Sequence, residues 1–377
     1  MPKKLRAVQI GLGGIGRGHF QRLLENPKFR VVGCCDAYPR RPDVKLNIEK
    51  ANEADIPFYR DYRQLLADTE ADACLVCTPH HWHRPMTVAA LERGMGVFVE
   101  KPPACDIADA EAMLAAGRKA RLPVSVGFNP TANAASIGLK RHIARGDLGK
   151  IRGVVVILNN WRADSYYRRN HWAGRRRVEG KWARDGVMYN QASHPIAAGL
   201  YLASTKPWPA LAVGTSARAS LYRAHKVKTF EMEDLACAVV DLDGDAKKQM
   251  FLYVTTANTG GDRHSWIQVF GDKGSAVLGA GVIRRPDGST LAVRAPKAVA
   301  SKHDDLYNAI TRGTTPFCPV KEAVKVTHTV QAVYEAARHR VKPISFKDLG
   351  DINELIARAA AQRCLFSELG GMPDWAL

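Results

Sequence analysis

A glycine-rich segment near the N-terminus has the residue types and spacing that bind a dinucleotide. Gly11-Leu12-Gly13-Gly14-Ile15-Gly16 is a G-x-G-x-x-G that follows an apolar run and opens a helical pattern, and Asp36 ends the next apolar run. Gly11 permits a tight turn, Gly13 lets the backbone approach a pyrophosphate, and Gly16 lets the helix pack on the strand. The start of the helix adds N–H groups for the phosphates. The expected cofactor-binding residues of this segment are Gly11, Gly13, Gly14, Ile15 and Gly16.

Asp36 bears on which dinucleotide binds. Its carboxylate accepts hydrogen bonds from the hydroxyls of an adenosine ribose and repels a 2′-phosphate, so NAD is favoured as the cofactor. Arg40 and Arg41 follow shortly after and would pair with a 2′-phosphate. NADP therefore stays open, and we include Asp36, Arg40 and Arg41 among the cofactor-binding residues.

A second group of chemically capable residues follows two later apolar runs. Thr78-Pro79-His80-His81-Trp82-His83 comes after one run, and Glu100-Lys101-Pro102 after the next. Three close histidines invite a metal, but no second ligand group stands at a familiar spacing, so we expect no metal and a surface loop with one cofactor-contacting histidine. Lys101, at the carboxyl end of a parallel strand, would hydrogen-bond a substrate hydroxyl and stabilise a developing alkoxide. Glu100 would balance its charge.

The elements that must position these residues alternate between strand and helix patterns in the first part of the chain. The predicted strands span residues 6–10, 29–36, 57–59, 73–77, 96–100 and 123–127. Apolar strands separated by amphipathic helices are typical of a parallel sheet that is covered on both faces and doubly wound. Ligands bind such a sheet at the carboxyl ends of its strands. We predict this Rossmann domain over residues 1–128.

Residues 129–377 do not alternate between strand and helix patterns in this way. Strand-like runs follow one another with few helices between them, at 211–219, 235–242, 249–256, 265–271 and 275–278. Clustered strands favour an α+β domain with an open, mostly antiparallel sheet. The predicted fold class is therefore α/β, with an N-terminal doubly wound sheet followed by this second domain. The exposed face of an open sheet favours self-association, as a homodimer or homotetramer.

Composition and charge exclude several classes of protein. Hydrophobic residues make up 46% and charged residues 24% of the 377 residues, which excludes a largely disordered chain. No apolar run approaches the ~18 residues of a membrane span, and the N-terminus lacks a signal-peptide pattern, so we expect a soluble cytoplasmic protein. Eight dispersed cysteines fit reduced thiols. The net charge of +18 suits anionic partners.

Together the motifs resemble the Gfo/Idh/MocA oxidoreductase family, which includes glucose–fructose oxidoreductase and myo-inositol dehydrogenase. The resemblance rests on the glycine motif, Thr78 to His83 as T-P-x-x-x-H, Ala90 to Gly94, Glu100-Lys101-Pro102, Trp172-Ala173-Gly174 and Gly186 to His194. The last segment resembles a glycine-led strand ending in an acid, three residues and a histidine. The family implies transfer of a hydride between NAD(P) and a hydroxyl or ketone of a sugar, sugar acid or cyclitol.

The resemblance also implies roles for individual residues. Lys101 corresponds to the family's catalytic lysine and His194 to its catalytic histidine. The positions that line the cofactor correspond to Thr78, Pro79, His83, Glu100 and Lys101. Four residues before the histidine, the dehydrogenases usually have an aspartate, and here Asn190 stands there. On a helical turn Asn190 and His194 would share a face and both reach the substrate, but an asparagine orients a hydroxyl without sharing its proton.

The stretch from Trp161 to Arg184 mixes basic and aromatic residues. It contains eight Lys or Arg, which suits a nucleic-acid strand or a sugar with an anionic group. Because the stretch directly precedes the His194 motif, we interpret it as a loop that borders the active site. Arg162 and Arg168 are expected to bind an anionic substrate, with Trp172 also in contact. Neither nucleic acid nor a membrane is expected as a partner.

Two other functions stay open on the same residues. Some relatives in the family are glycosidases that reduce and reoxidise NAD within one cycle and release no net NADH. A non-catalytic protein that binds NAD or a sugar is also compatible with Asn190 in place of the acid. The absorbance of NADH formed on a panel of sugars separates both from a dehydrogenase.

Overall fold

Two β-sheets with helices packed against them make up the protein in the computed structural model, which describes residues 4–206, 211–258 and 264–343. Residues 344–377 of the predicted second domain, among them Cys364, lie outside the described residues. The division after residue 128 stays a prediction.

The first sheet is the predicted doubly wound one. Its strands are β1 (Leu5–Ile10), β2 (Phe29–Cys35), β3 (Phe58–Tyr59), β4 (Ala73–Val76), β5 (Gly96–Val99) and β6 (Val124–Val126). The helices between them are α1 (Ile15–Glu25), α2 (Pro42–Glu53), α3 (Tyr62–Asp68), α4 (His83–Glu92) and α5 (Ile107–Ala120). The strand order is β3-β2-β1-β4-β5-β6, and all adjacent pairs are parallel. The order reverses between β1 and β4, where a ligand crevice opens at their carboxyl ends.

The continuous apolar runs of this sheet are explained by its burial. Every residue of β4 and of β5 is buried, as expected for strands with helices on both faces. Cys74 and Cys77 belong to different apolar clusters, because side chains an odd number of positions apart on a strand point to opposite faces. Helix α2 was not predicted, since only Val44, Asn47 and Ala51 of its residues are buried and its apolar period is weak.

The second sheet is mixed and mostly antiparallel, which confirms the predicted class. The strands of the second half of the chain are β7 (Ile151–Asn159), β8 (Arg177–Val178), β9 (Lys181–Trp182), β10 (Gly214–Arg223), β11 (Leu235–Leu242), β12 (Asp245–Thr255), β13 (His264–Gly271), β14 (Gly274–Val277), β15 (Val282–Arg284), β16 (Thr290–Ala292) and β17 (Val341–Pro343). The sheet order is β16-β15-β14-β13-β7-β12-β11-β10-β17, with parallel pairing at β7–β12 and β10–β17. Strands β8 and β9 form a separate hairpin.

The helices of the second half cover both sheets. They are α6 (Ala134–Arg145), α7 (Asp164–Tyr167), α8 (Ser193–Ala203), α9 (Lys302–Arg312) and α10 (Val320–Ala336). Asn133 and Gly146 cap α6 at its two ends. Leu306 and Tyr307 of α9 join the same apolar cluster as Phe29 and Phe98 of the first sheet. The chain therefore returns from the second sheet to the first, and the start of α9 comes close to the crevice.

Three features of the described residues bear on the composition-based expectations. The cysteines among them form no disulfide. No helix among these residues combines the length and apolarity needed to cross a bilayer. Their His, Cys, Asp and Glu side chains form no group of three that would hold a metal ion.

Candidate active site

A cleft of about 1370 Å³ lies between the carboxyl edge of the first sheet and the segment 166–194 of the second domain. The predicted site residues that line it are Gly11, Gly13, Gly14, Ile15, Asp36, Arg41, Thr78, Pro79, Glu100, Lys101, Trp172, Asn190 and His194. Those that do not line it are Gly16, Arg40, His83, Arg162 and Arg168. Its volume exceeds the ~300–1,000 Å³ of an ordinary small-molecule site, which leaves room for a dinucleotide and a second ligand.

The glycine turn has the close backbone contacts that its motif predicts. A Cβ at Gly11 would overlap the carbonyl of Cys77, and a Cβ at Gly16 would overlap the carbonyl of Gly11. Gly11 also has a φ of 93°, in the region that favours glycine. The bare backbone of Gly11, Gly13 and Gly14 lines the cleft, so this end of the cleft fits the pyrophosphate of a dinucleotide. Gly16 packs behind the turn, as its packing role requires.

Asp36 lies at the same end of the cleft and is held by the backbone. Its carboxylate accepts hydrogen bonds from the amides of Leu12 (2.9 Å) and Tyr38 (2.8 Å). These bonds fix the carboxylate at the edge of the cleft, where it has further lone pairs for a ribose diol. The structure therefore fits the chemistry expected of Asp36.

The start of α1 is engaged differently from our expectation of free N–H groups. The amide of Gly14 donates to the carboxylate of Asp43 (2.8 Å). Arg41 pairs with that carboxylate (2.8 Å) and lies beside Gly13, whereas Arg40 does not line the cleft. A side chain of α2 thus holds one of the donors that a phosphate would use.

The three close histidines do not form the expected surface loop. His80 and His81 are buried on a short 3-10 turn, and His83 is fully buried at the start of α4. The two ring nitrogens of His83 face the backbone carbonyls of Pro102 (2.7 Å) and Thr78 (2.8 Å). His83 therefore joins the two motif segments from behind the cleft instead of lining it. Burial lowers the pKa of His81, which does line the cleft, to about 4.

Lys101 emerges at the carboxyl end of β5 and reaches the second domain. Its Nζ donates a hydrogen bond to the backbone carbonyl of Asn190 (2.7 Å), 89 residues later in the chain. Burial lowers the pKa of Lys101, and the carboxylates of Glu100 and Asp185 oppose that shift. This hydrogen bond brings the two motifs, which are distant in sequence, to one place.

Glu100 belongs to a buried row of hydrogen-bonded side chains. Its Oε1 faces Nε2 of His19 (3.0 Å), and Nδ1 of His19 faces Nε2 of His303 (2.9 Å). The ammonium of Lys302 lies 3.7 Å from the same oxygen. Although burial raises it, the hydrogen bond from His19 and the charge of Lys302 lower the pKa of Glu100 to about 2. Glu100 is therefore ionised and balances the charges of Lys101 and Lys302.

The second motif is not the strand that the family pattern suggests. Val187–Ala192 forms a single π-helical turn that continues directly into α8. The amide of Val187 donates to the backbone carbonyl of Glu233 (2.9 Å), and that of Met188 donates to its carboxylate (3.1 Å). A Cβ at Gly186 would overlap this carboxylate, which explains the glycine. Widened turns of this kind are frequent at functional sites.

Asn190 and His194 lie on this π-helical turn and at the start of α8, and both line the cleft. Burial, together with the charge of Lys101, lowers the pKa of His194 to about 3. The imidazole is therefore unprotonated at neutral pH. Its Nδ1 is buried and has no hydrogen-bond partner among the described residues.

Asp185, which was not predicted, lies directly behind Asn190. Its Oδ1 accepts a hydrogen bond from Nδ2 of Asn190 (2.5 Å), and its Oδ2 accepts from the amide of Gly174 (2.9 Å) and from Arg169 (3.3 Å). The side chain is 0% exposed. Burial raises the pKa of Asp185 to about 6, and the charge of Arg169 opposes the shift.

Tyr166 is a second unpredicted residue at this end of the cleft. Its hydroxyl oxygen accepts hydrogen bonds from the side-chain amides of Asn190 (3.1 Å) and Gln191 (3.0 Å). The guanidinium carbons of Arg169 and Arg162 lie 3.8 and 4.9 Å from its ring centroid. Because two donors occupy its oxygen, the hydroxyl proton of Tyr166 remains for donation to a ligand.

The basic loop borders the cleft, but not through the arginines we expected. The side chain of Arg168 is 63% exposed and does not line the cleft. Arg162 stacks on Tyr166 without lining the cleft itself. Arg169 and Trp172 do line it, with the guanidinium carbon 5.2 Å from the indole.

Some of the residues that sequence reasoning missed had a signal and others did not. Asp185 is an acid one position before the motif glycine, which is a readable signal. Lys302 and His303 carry no local signal, because α9 reaches the cleft only by packing on the first sheet.

A Rossmann sheet whose carboxyl edge borders a cleft, with a second mixed sheet beyond it, is the arrangement of a dinucleotide-binding α/β protein. The chain belongs to the GFO/IDH/MocA oxidoreductase family. Residues 5–128 match the model described as oxidoreductase family, NAD-binding Rossmann fold, and residues 137–277 match the GFO/IDH/MocA C-terminal domain. The N-terminal part is thus an NAD-binding Rossmann domain.

Individual relatives are distant. Inositol 2-dehydrogenase of Salmonella typhimurium is 30% identical over 148 residues, which are 39% of this chain and 43% of that protein. Levoglucosan dehydrogenase of Pseudarthrobacter phenanthrenivorans is 28% identical over 209 residues, 53% of this chain and 51% of that protein. The chain thus spans about half, or less, of the length of these relatives. The crystal structure of the WlbA dehydrogenase of Bordetella pertussis, in complex with NADH and UDP-GlcNAcA, shares the fold, with a TM-score of 0.71, 23% identity and coverage of 89% of this chain and 97% of that chain.

Proposed function

We propose that this chain is an NAD-dependent dehydrogenase that transfers a hydride between the cofactor and a hydroxyl or ketone of a sugar, sugar acid or cyclitol. The hydrogen bond from Lys101 to the backbone of Asn190 carries the proposal, because it brings an ammonium group and the His194 segment into the cleft that contains the glycine turn. The names of the relatives, an inositol and a levoglucosan dehydrogenase, support the substrate class.

In the direction of oxidation, the O–H and C–H bonds of one carbinol break. His194 accepts the hydroxyl proton, for which its unprotonated imidazole is the required form. Lys101 donates a hydrogen bond to the same oxygen and stabilises the negative charge that develops on it. The bound nicotinamide supplies the acceptor for the hydride of the C–H bond. The product is a ketone, with the proton left on His194, and the reverse sequence reduces a ketone.

The walls of the cleft support two further choices. Asp36 favours NAD over NADP, because its fixed carboxylate accepts from a ribose diol and repels a phosphate. Arg169, in place of Arg162 and Arg168, is the arginine that meets an anionic group of the substrate, since it lines the cleft. Trp172 lies beside Arg169 and packs on an apolar face of the sugar or cyclitol ring of the substrate.

Self-association is part of the proposal. Helix α8 packs on the face of the second sheet that contains Val154, Val156 and Met250. On the opposite face the partly exposed side chains of Ile157 and Trp266 are paired neighbours on β7 and β13. Burial of this apolar face against a second copy would give a dimer, which light scattering after gel filtration would detect.

A substrate screen tests the proposed activity. Sugars, sugar acids, sugar phosphates and inositols are each offered with NAD and with NADP, and the absorbance of NADH or NADPH is followed. We expect net reduction of NAD by at least one polyol. Tight NAD binding without reduction by any of these compounds would instead favour a non-catalytic protein and overturn the proposal.

A further inference from the structure

Asp185 is a buried carboxylate behind the end of the cleft that Lys101 and His194 line, which we call the reaction end. Asp185 does not line the cleft, so a ligand there does not touch it. Burying a carboxylate is costly unless its partners compensate. Two of its partners, Asn190 and Arg169, do line the cleft. Asp185 is thus placed to act on a ligand through other side chains.

Asp185 fixes which atom of Asn190 faces a ligand. A carboxylate only accepts hydrogen bonds, so the amide of Asn190 must turn its NH₂ group toward Asp185. The second N–H of that group donates to the hydroxyl of Tyr166 (3.1 Å). With both hydrogens used, the side-chain carbonyl oxygen of Asn190 is the polar atom left for a substrate, and it accepts a hydrogen bond from a hydroxyl. Without the carboxylate, the amide is free to flip and present a donor instead.

Asp185 also brings a negative charge close to Lys101. The ammonium of Lys101 binds the backbone of Asn190, while Asp185 binds the side chain of that residue. The charge of Asp185 opposes the lowering of the Lys101 pKa by burial. Arg169 is the cation paired with Asp185, at 3.3 Å.

We propose that Asp185 is a positioning residue for the proposed dehydrogenation, on which this inference rests. Its carboxylate fixes Asn190 as a hydrogen-bond acceptor and supplies, from behind, a negative charge that position 190 itself lacks. An acid at position 190 would carry that charge into the cleft. In this chain the acid is instead Asp185, one residue before the motif glycine, and it acts on the substrate through the amide of Asn190.

Exchange of the two side chains tests this role. Asp185→Asn is expected to lower kcat by about 10–100-fold, the effect of a hydrogen bond to a charged group, and to leave the affinity for NADH within about twofold. The double variant Asp185→Asn with Asn190→Asp returns one acid and one amide to the pair and is expected to recover kcat to within about fivefold of the wild type. Asp164→Asn, an exposed acid of the same loop, is the matched control and keeps wild-type kinetics.

The outcomes separate a positioning role from a structural one. A folded Asp185→Asn variant with wild-type kcat, or a folded exchanged pair that recovers nothing, overturns the inference. If Asp185→Asn does not fold, as judged by its melting temperature, the double variant alone decides: the inference stands if its kcat is within about fivefold of the wild type and is overturned otherwise. If none of the polyols tested supports reduction of NAD by the wild-type protein, both the proposed function and this inference are overturned. An active wild type with an unaffected Asp185→Asn variant overturns the inference alone.

Discussion

The two ends of the cleft are built in different ways. At the dinucleotide end, backbone and side chains from residues 11–43 contact one another, and the glycine turn depends on missing side chains. At the reaction end, Lys101 meets the Asn190 segment, and Tyr166 and Asp185 complete it from the loop in between. The hydrogen bonds of the first end join residues that are close in the sequence, whereas Lys101 and Asn190 at the second end are 89 residues apart. We therefore expect changes at the first to alter cofactor affinity and changes at the second to alter turnover.

Replacement of Lys101 should give the largest effect. Lys101→Ala removes the donor to the reacting oxygen, so kcat should fall by about 10²–10⁴-fold. The affinity for NADH, followed by its fluorescence, should change by less than about threefold. Lys45→Ala, an exposed lysine of α2, serves as the control and should leave both quantities unchanged. Turnover retained by Lys101→Ala would contradict the assigned role and the separation of the two ends.

Asp36 offers the converse test at the dinucleotide end. Asp36→Ala removes the acceptor for the ribose hydroxyls, and one charged hydrogen bond is worth about 1.5–3 kcal/mol, so the KM for NAD should rise by at least about 10–100-fold with little change in kcat at saturation. The ratio of kcat/KM for NADP to that for NAD should rise as well. A variant that lost kcat and kept its KM would show that the two ends are not separable in this way.

The difference between the ends also explains how much the sequence predicted. All six strands of the first sheet follow from patterns within about 30 residues, and the structure agrees with them. Asp36 lies at the edge of the cleft, but its role toward the ribose stays a prediction. The family pattern gives Gly186 to His194 as a glycine-led strand that ends before the histidine, whereas Val187–Ala192 is a π-helical turn whose first two amides are bonded to Glu233, at least 45 residues later. Arg168 and Arg169 differ by one position, and no local pattern tells which of them faces the cleft.

The stability of the protein should also depend on acid, through a buried histidine of the cleft wall. Burial lowers the pKa of His81 to about 4, below the ~6.5 of an unfolded histidine. The unfolded chain therefore binds a proton more tightly, and this stabilisation, complete above pH 6.5, is lost as the pH falls toward 4. Between pH 7 and 5 the loss amounts to about 2 kcal/mol. Urea unfolding at both pH values should show His81→Gln losing about 2 kcal/mol less than the wild type, and equal losses would refute the assignment.

Two adjacent arginines test which side of the loop faces the substrate. Arg169→Gln removes a cation from the cleft wall, so kcat/KM for an acidic sugar should fall about tenfold more than kcat/KM for its neutral analogue. Because Arg169 also pairs with Asp185, the variant could lower kcat/KM for both substrates, and such a shared effect cancels in the ratio of the two values. Arg168→Gln, at an exposed side chain, should leave the ratio unchanged. An effect of Arg168 equal to that of Arg169 would mean that the loop binds its ligand with the other face.

The smallest expected effect is a gain in affinity at the dinucleotide end. The carboxylate of Asp43 holds the amide of Gly14 and pairs with Arg41, so it competes with a phosphate for both groups and repels its charge. Asp43→Asn should therefore tighten NADH binding by about threefold, roughly 0.6 kcal/mol, at low salt, and the gain should shrink as salt screens the charge. Glu49→Gln, an exposed acid on the same helix, should not change the affinity. Weaker binding by Asp43→Asn would mean that this carboxylate orders the turn for the phosphate instead of competing with it, and the dinucleotide end would then depend on a side chain as much as the reaction end does.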